Sequence, residues 1–149
     1  MIPGIVVAID PGTHYGWSTW LEGKMVGSGS GHCDKSISIW MPGLRARLVV
    51  VEYPYFYPGD RPGQANSLIK LAYIAGLLVA SVPIDDGGRV EHVKPATWKG
   101  SVPKKIHQER IKADFDAYQG RPVLLRTASD ELDAIGLGLW AQTHLKGDL

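Results

Sequence analysis

The sequence predicts one α/β domain over residues 1–149, a mixed five-stranded sheet flanked by helices. Three observations carry this. Two continuous apolar runs, Ile5 to Asp10 (IVVAID) and Leu48 to Glu52 (LVVVE), read as strands buried on both faces, which show no polar alternation. Short strand-like segments with turn signals lie between them. Long helical patterns follow, interrupted by one further strand-like run.

Ile5 to Asp10 is closed by the turn signal Pro11-Gly12. Tyr15 to Leu21 and Met25 to Ser30 are strands joined by a tight Glu22-Gly23-Lys24 turn, so the chain opens as an antiparallel meander. A poorly patterned stretch broken by Pro42-Gly43 precedes Arg47 to Tyr53, a strand expected beside the first. After the aromatic loop YPYFYPGDRPG, Gln64 to Ser81 is a helix, apolar on most faces. Its small residues Ala72, Gly76 and Ala80 lie four apart, a stripe suited either to packing on the sheet or to a subunit interface. Asp85-Asp86-Gly87-Gly88 reads as a turn, Arg89 to Lys94 as the fifth strand, and Lys104 to Tyr118 as a charged amphipathic helix. Residues 119–128 read as loop, and Ser129 to Leu145 as the last helix. Gly136 and Gly138 inside it each cost about 1 kcal/mol relative to Ala. Close packing has to compensate.

A chain of 149 residues is about one domain long, and 44% apolar with 21% charged residues is ordinary for a globular protein. The longest apolar stretch, Ala72 to Val82, is about half of what spans a bilayer. No basic lead-in or signal layout opens the sequence, so a cytoplasmic location is expected, with no membrane partner. The lone Cys33 excludes an intrachain disulfide and a zinc ribbon, and His32 beside it reads as coincidence. The formal charge of +1 hides an asymmetry. Residues 94–112 hold Lys94, Lys99, Lys104, Lys105, Arg110 and Lys112 against Glu109 alone, a net of +5 that leaves −4 on the rest. Such a segment reads as a phosphate-contacting surface facing an acidic pocket, or as a solvated helix face with a basic loop.

The acidic residues point to chemistry. Asp10 and Glu52 end the two buried strands, and Asp130 and Asp133 open the last helix. A carboxylate at the end of a buried strand is costly unless a cation compensates it. Four of them gathered by folding make a hard, oxygen-rich site for Mg²⁺, or Mn²⁺ in its place. Two such ions about 4 Å apart stabilise both the attacking and the leaving oxygen of in-line phosphodiester hydrolysis. Residues three apart share a helix face, so Asp130 and Asp133 point the same way and Glu131 points elsewhere. The bland alternative for Asp130 is helix capping, since Thr127 and Asp130 have capping-box spacing and the macrodipole favours acids there.

The order of elements is that of a ribonuclease H-like domain. AIDPGTHYGW, VVVEYPYF, VKPATWKGSVPKK and SDELDAIGLGLW together resemble the RuvC family of Holliday-junction resolvases, particularly its short phage-encoded members. The resemblance covers most of the chain. It implies a structure-selective endonuclease that resolves four-way DNA junctions as a homodimer, in a bacterial or phage-infected cell, with two Mg²⁺ ions per site. It further implies that Asp10, Glu52, Asp130 and Asp133 are the catalytic metal ligands. The family's phosphate-contacting lysine matches Lys104, with Lys105 as neighbour, and Lys94, Lys99 and Arg110 become DNA contacts. Tyr55, three residues after Glu52, matches the aromatic that stacks into the opened junction, with Phe56 beside it; both also suit simple loop packing. Base stacking of this kind is worth about 1–3 kcal/mol.

One departure stands out. Only 41 residues separate Asp10 from Glu52, so the first helix of the family is expected to be shortened or lost, and docking to a branch-migration motor is left open. Two rival classes remain beside another ribonuclease H-like nuclease, acting on RNA/DNA hybrid or ribosomal RNA. DPGT also resembles the phosphate-binding turn of sugar kinases and Hsp70-like ATPases, but those enclose nucleotide between two such domains and this chain has room for one. A non-catalytic junction-binding protein on the same fold would gain nothing from clustered negative charge facing DNA.

Overall fold

The computed structural model describes residues 1–55, 59–119 and 128–145. Strands β1 (Ile5–Asp10), β2 (His14–Leu21), β3 (Lys24–His32), β4 (Ala46–Glu52) and β5 (Ile84–Val93) form one sheet in the order β3-β2-β1-β4-β5. The opening meander is antiparallel, whereas β4 and β5 run parallel to β1. Helices α1 (Gln64–Ala80), α2 (Pro95–Trp98), α3 (Lys104–Gln119) and α4 (Ser129–His144) complete it. No helix lies between β3 and β4, as the short Asp10–Glu52 spacing predicts.

Side chains alternate across a strand, and the two faces of β1 accordingly enter different cores. Val6 and Ala8 of β1, with Leu48 and Val50 of β4, pack under Ile111 and Phe115 of α3 and Leu132, Ile135 and Leu139 of α4. Ile5, Val7 and Ile9 face the other way, under Ile74, Ala75 and Leu78 of α1. β1 is buried at every position, which is why its sequence shows no polar alternation.

α4 is the central helix of its layer, and it is buried without a break from Leu132 to Leu139. Ser18 of β2 donates its hydroxyl to the Ala134 carbonyl at 2.8 Å and accepts the Trp20 indole N–H at 2.9 Å. The two glycines of α4 sit where side chains would collide. A Cβ at Gly138 would lie 2.1 Å from Nε1 of Trp20, and one at Gly136 would lie 2.5 Å from Cδ1 of Ile111. The helix propensity lost there is the condition for close approach.

Two expectations fail. Asp85-Asp86-Gly87-Gly88 is not a turn between elements but an irregularity inside β5: Ile84 pairs with Ala46, Arg89 with Leu48, and Gly87 takes φ +79. The Ala72-Gly76-Ala80 stripe does not pack on the sheet, because α1 seats through Ile74, Ala75 and Leu78 and a Cβ at Gly76 would meet nothing within 4 Å. Short helix α2 was not expected, since four residues are too few to show a period. The expected loop at 119–128 lies mostly outside the described residues. Among the described residues no helix is long and apolar enough to cross a membrane.

The closest approach of helix to sheet is at Gly16, where a Cβ would stand 1.9 Å from the carbonyl oxygen of Asp130. Backbone on backbone cannot yield as a flexible side chain can. Gly16→Ala is expected to destabilise the protein by at least about 2 kcal/mol, the scale of overpacking. Thermal melts should show a fall of roughly 4 °C or more; an unchanged melting temperature would contradict this packing.

Candidate active site

Parity and register bring the strand-end acids together. Asp10 continues the face of Val6 and Ala8, and Glu52 that of Leu48 and Val50, so both turn toward the α3/α4 layer. β1 and β4 are parallel neighbours with Ile9 opposite Val51, which sets both acids at the same end of the sheet. Asp10 pairs with Gly16, the residue against which the first turn of α4 is laid. That contact carries Asp130 and Asp133 to the strand ends. Asp133 is 3% exposed and Asp10 8%, both unusually dry for aspartates.

The capping alternative for Asp130 does not hold. The N-cap of α4 is Ala128, with no side-chain cap, so Asp130 lies inside the first turn; Thr127 is outside the described residues. Glu131 accepts a hydrogen bond from Ser28 of β3 at 2.7 Å, pointing away from the other acids as its helix position predicts.

Lysines answer the acids. Nζ of Lys99 lies 2.7 Å from Oε2 of Glu52 and 3.9 Å from Oδ2 of Asp133. Nζ of Lys104 lies 3.5 Å from the same Asp133 oxygen. The adjacent Trp98 donates its indole N–H to Oε2 of Glu52 at 2.9 Å, and Gln108 reaches Oγ of Ser129 at 2.9 Å and, at a long 3.4 Å, Oδ1 of Asp133. Burial works against the charge of Lys99, but Glu52, Asp10 and Asp133 more than offset it and hold its ammonium above the ordinary lysine range. His107, packed edge-on against Trp98 at 4.9 Å between ring centroids, is lowered by burial, with Asp133 pulling the other way.

The four acids share one electrostatic field. Asp10 is raised from 3.8 to about 8, first by burial and then by Glu52; Lys99 pulls it down, and Asp133 and Asp130 add smaller pushes. Among the described residues no three acidic, histidine or cysteine side chains stand close enough to enclose an ion as placed. The Lys99 ammonium stands among the oxygens instead. The donor chemistry nevertheless fits a hard divalent cation, with oxygen ligands from four carboxylates and a mutual repulsion that positive charge would relieve.

The expected nucleic-acid contacts divide. Tyr55 and Lys94 follow β4 and β5 at this end of the sheet, and Nζ of Lys94 sits 4.1 Å above the Tyr55 ring. Lys99, expected as a phosphate contact, is instead folded onto the acids. Lys105 is exposed without reaching them, and Arg110 lines a groove beside the site with Trp98, Trp140 and His144. Phe56 lies outside the described residues. Sequence reasoning missed Trp98, His107 and Gln108. His107 and Gln108 are three and four residues after Lys104, a spacing that places them on its helix face.

The raised Asp10 predicts a pH dependence in metal-free protein. The folded chain keeps this proton where the unfolded chain has lost it, so the associated stability is complete below 3.8 and disappears as pH rises to about 8. Melts in EDTA should show stability falling across that window, and Asp10→Asn should flatten this component. Above about pH 8 the variant should melt higher than wild type, by about 3 °C or more. Parallel wild-type and variant curves would refute the raised Asp10 carboxyl.

Solved structures share this architecture. A structure of Thermus thermophilus RuvC matches with a TM-score of 0.51 at 19% identity, over 93% of this chain and 96% of that one. A structure of T. thermophilus RuvC in complex with Holliday junction substrate matches with a TM-score of 0.50 at 19% identity, over 91% and 90%. No protein-family model and no curated protein matches the chain. At this identity the likeness establishes the fold alone: a ribonuclease H-like α/β fold with a mixed five-stranded sheet, shared with these structures.

Proposed function

We propose that the protein is a divalent-metal-dependent endonuclease acting on branched DNA, a resolvase of four-way junctions. The observation that carries this is the convergence of Asp10, Glu52, Asp130 and Asp133 from two strand ends and one helix start, around an Asp10 that burial first, and Glu52, Asp133 and Asp130 after it, raise to about 8. Such a field disfavours a purely binding role, because bare negative charge repels phosphate. The RuvC-like fold, including a relative solved with Holliday junction substrate, supports the branched substrate. Cellular DNA as substrate implies the cytoplasm of a bacterium or phage-infected host.

On this reading the four carboxylates hold two Mg²⁺ ions, with Mn²⁺ able to substitute. When bound, the ions supply charge stabilisation for the attacking and leaving oxygens. The chain's own groups do the rest. Trp98 orients Glu52 through Oε2, and Gln108 steadies the first turn of α4. Lys104, 61% exposed and, among the described residues, paired with Asp133 at 3.5 Å, is placed to meet a phosphate oxygen. Tyr55 and Lys94 offer a stacking surface and a charge at the rim.

Paired nicks require paired sites, which a two-fold dimer supplies. α1 supports such a dimer. Ile69 is 67% exposed, Tyr73 68% and Leu77 40%, at four-residue spacing, so an apolar ridge of the helix is uncovered in one chain. The small-residue stripe Ala72-Gly76-Ala80 lies beside it and permits close approach of a second helix.

Changing Asp10, Glu52 or Asp133 to its amide, or Asp130→Asn, is expected to reduce nicking by about 10²-fold or more while junction binding survives. A labelled four-way junction, flap, linear duplex and RNA/DNA hybrid, each with Mg²⁺, tests activity and substrate together. Full activity of Asp10→Asn would sink the assignment, and preference for the hybrid would move it to a ribonuclease H. Lys104→Ala should slow cleavage more than Lys105→Ala; the reverse order transfers the role.

Light scattering is expected to give a dimer that Tyr73→Glu with Leu77→Glu converts to a folded monomer. A monomeric wild type, with and without junction DNA, would favour a single-site nuclease.

A further inference from the structure

Among the groups gathered at the carboxylates, Lys99 is the one whose position duplicates that of a cation. One ammonium contacts Oε2 of Glu52 from β4 at 2.7 Å and Oδ2 of Asp133 from α4 at 3.9 Å. It is built into place. α2 begins at Pro95, two residues after β5 ends, and its last residue, Trp98, donates to the same Glu52 oxygen that Lys99 binds. Nζ of Lys99 stands 4.9 Å from the centre of the Trp98 ring, and the side chain is only 24% exposed. Lys104 is different: among the described residues it pairs with Asp133 and not Glu52, from a side chain that is 61% exposed.

We propose that Lys99 is a tethered counter-ion of the acidic cluster. It holds Glu52 and Asp133 in position in the metal-free protein and competes with the divalent ion for the same oxygens, thereby setting the ion concentration at which the site fills. The inference rests on the reading of the four carboxylates as an ion site. An ammonium and a divalent cation repel at close range, so the presence of either on these oxygens weakens the hold of the other. The flexible four-carbon stem of lysine lets the ammonium leave when the ion arrives. A tethered cation would also keep the buried acids assembled in EDTA, since unpaired buried charge is otherwise prohibitive. Lys99 is thus a positioning residue, acting through Glu52 and Asp133.

The test uses the full chain without DNA. Mn²⁺ binding is followed by calorimetry, and melts are recorded in EDTA, for wild type, Lys99→Met, Lys99→Arg and Asp133→Asn. Lys99→Met removes the charge and keeps much of the stem. It is expected to melt lower in EDTA yet to bind Mn²⁺ about tenfold more tightly, the factor set by losing one close competing charge. Lys99→Arg, which keeps the charge, should stay within about twofold of wild type. A lysine that was merely structural would lower the melting temperature without tightening the ion. Should Lys99→Met be unfolded in EDTA, its refolding by millimolar Mn²⁺ supports the proposal, and failure to refold at saturating ion overturns it. Wild-type binding that is weakened by Asp133→Asn but unchanged in Lys99→Met overturns the tethered cation alone. A wild type that binds no Mn²⁺ overturns the ion site and this inference with it.

Discussion

The structure depends on one close approach, that of the first turn of α4 to β2 at Gly16. Residues more than a hundred positions apart meet there, because Gly16 stands opposite Asp10 and carries nothing that would hold Asp130 away. The approach is maintained from farther along the helix. Leu132 to Leu139 are buried on every side, Gly138 lets Trp20 against the backbone, and Gln142 accepts the Ile2 amide at 3.0 Å. Burial of large apolar side chains contributes about 1.5–3 kcal/mol each. That is the force available to hold four carboxyl groups at one end of the sheet.

The sheet decides which charges meet. A period of two assigns Asp10 and Glu52 to the α3/α4 face because Val6, Ala8, Leu48 and Val50 already lie there. Shifting either strand by one residue would turn its acid under α1. β5 adds the third element, since its parallel pairing with β4 sets Val93 opposite Glu52 and delivers Trp98 and Lys99 to the same corner. Glu52 stands on this hydrogen-bonded ladder, and its counter-ion Lys99 is carried to it from the ladder's end by α2.

Much of this was legible in the sequence, for reasons that also explain what was not. Unbroken apolar runs ending in acids gave β1 and β4 nearly to the residue, because burial on both faces leaves a strong compositional trace. The outward turn of Glu131 followed from helix geometry alone. β5 was read short, since Asp85-Asp86-Gly87-Gly88 has turn chemistry and only its pairing with β4 reveals that the strand continues past it. The stripe on α1 was visible, but spacing cannot say which face the sheet covers, and the sheet took Ile74, Ala75 and Leu78. Thr127 and Asp130 had capping spacing, yet the helix takes Ala128 as its N-cap. The sequence alone makes Lys99 a phosphate contact, because α2 is too short to announce itself and without α2 nothing directs that lysine inward.

The basic segment acquires a different meaning once it is folded. Of its six cations, Lys99 and Lys104 turn onto the acids, while Lys94 rests on Tyr55 and Lys105, Arg110 and Lys112 are exposed. A net of +5 counted along the sequence thus overstates the charge available to phosphate in the metal-free protein. On the proposed reading, ions bound by the carboxylates would release Lys99 and Lys104 from those contacts and turn them toward the nucleic acid. Filling the site with metal would then strengthen DNA binding, and by linkage DNA would strengthen metal binding to the same degree. On that reading, substrate capture and ion loading would be coupled through two lysines, with no moving domain required.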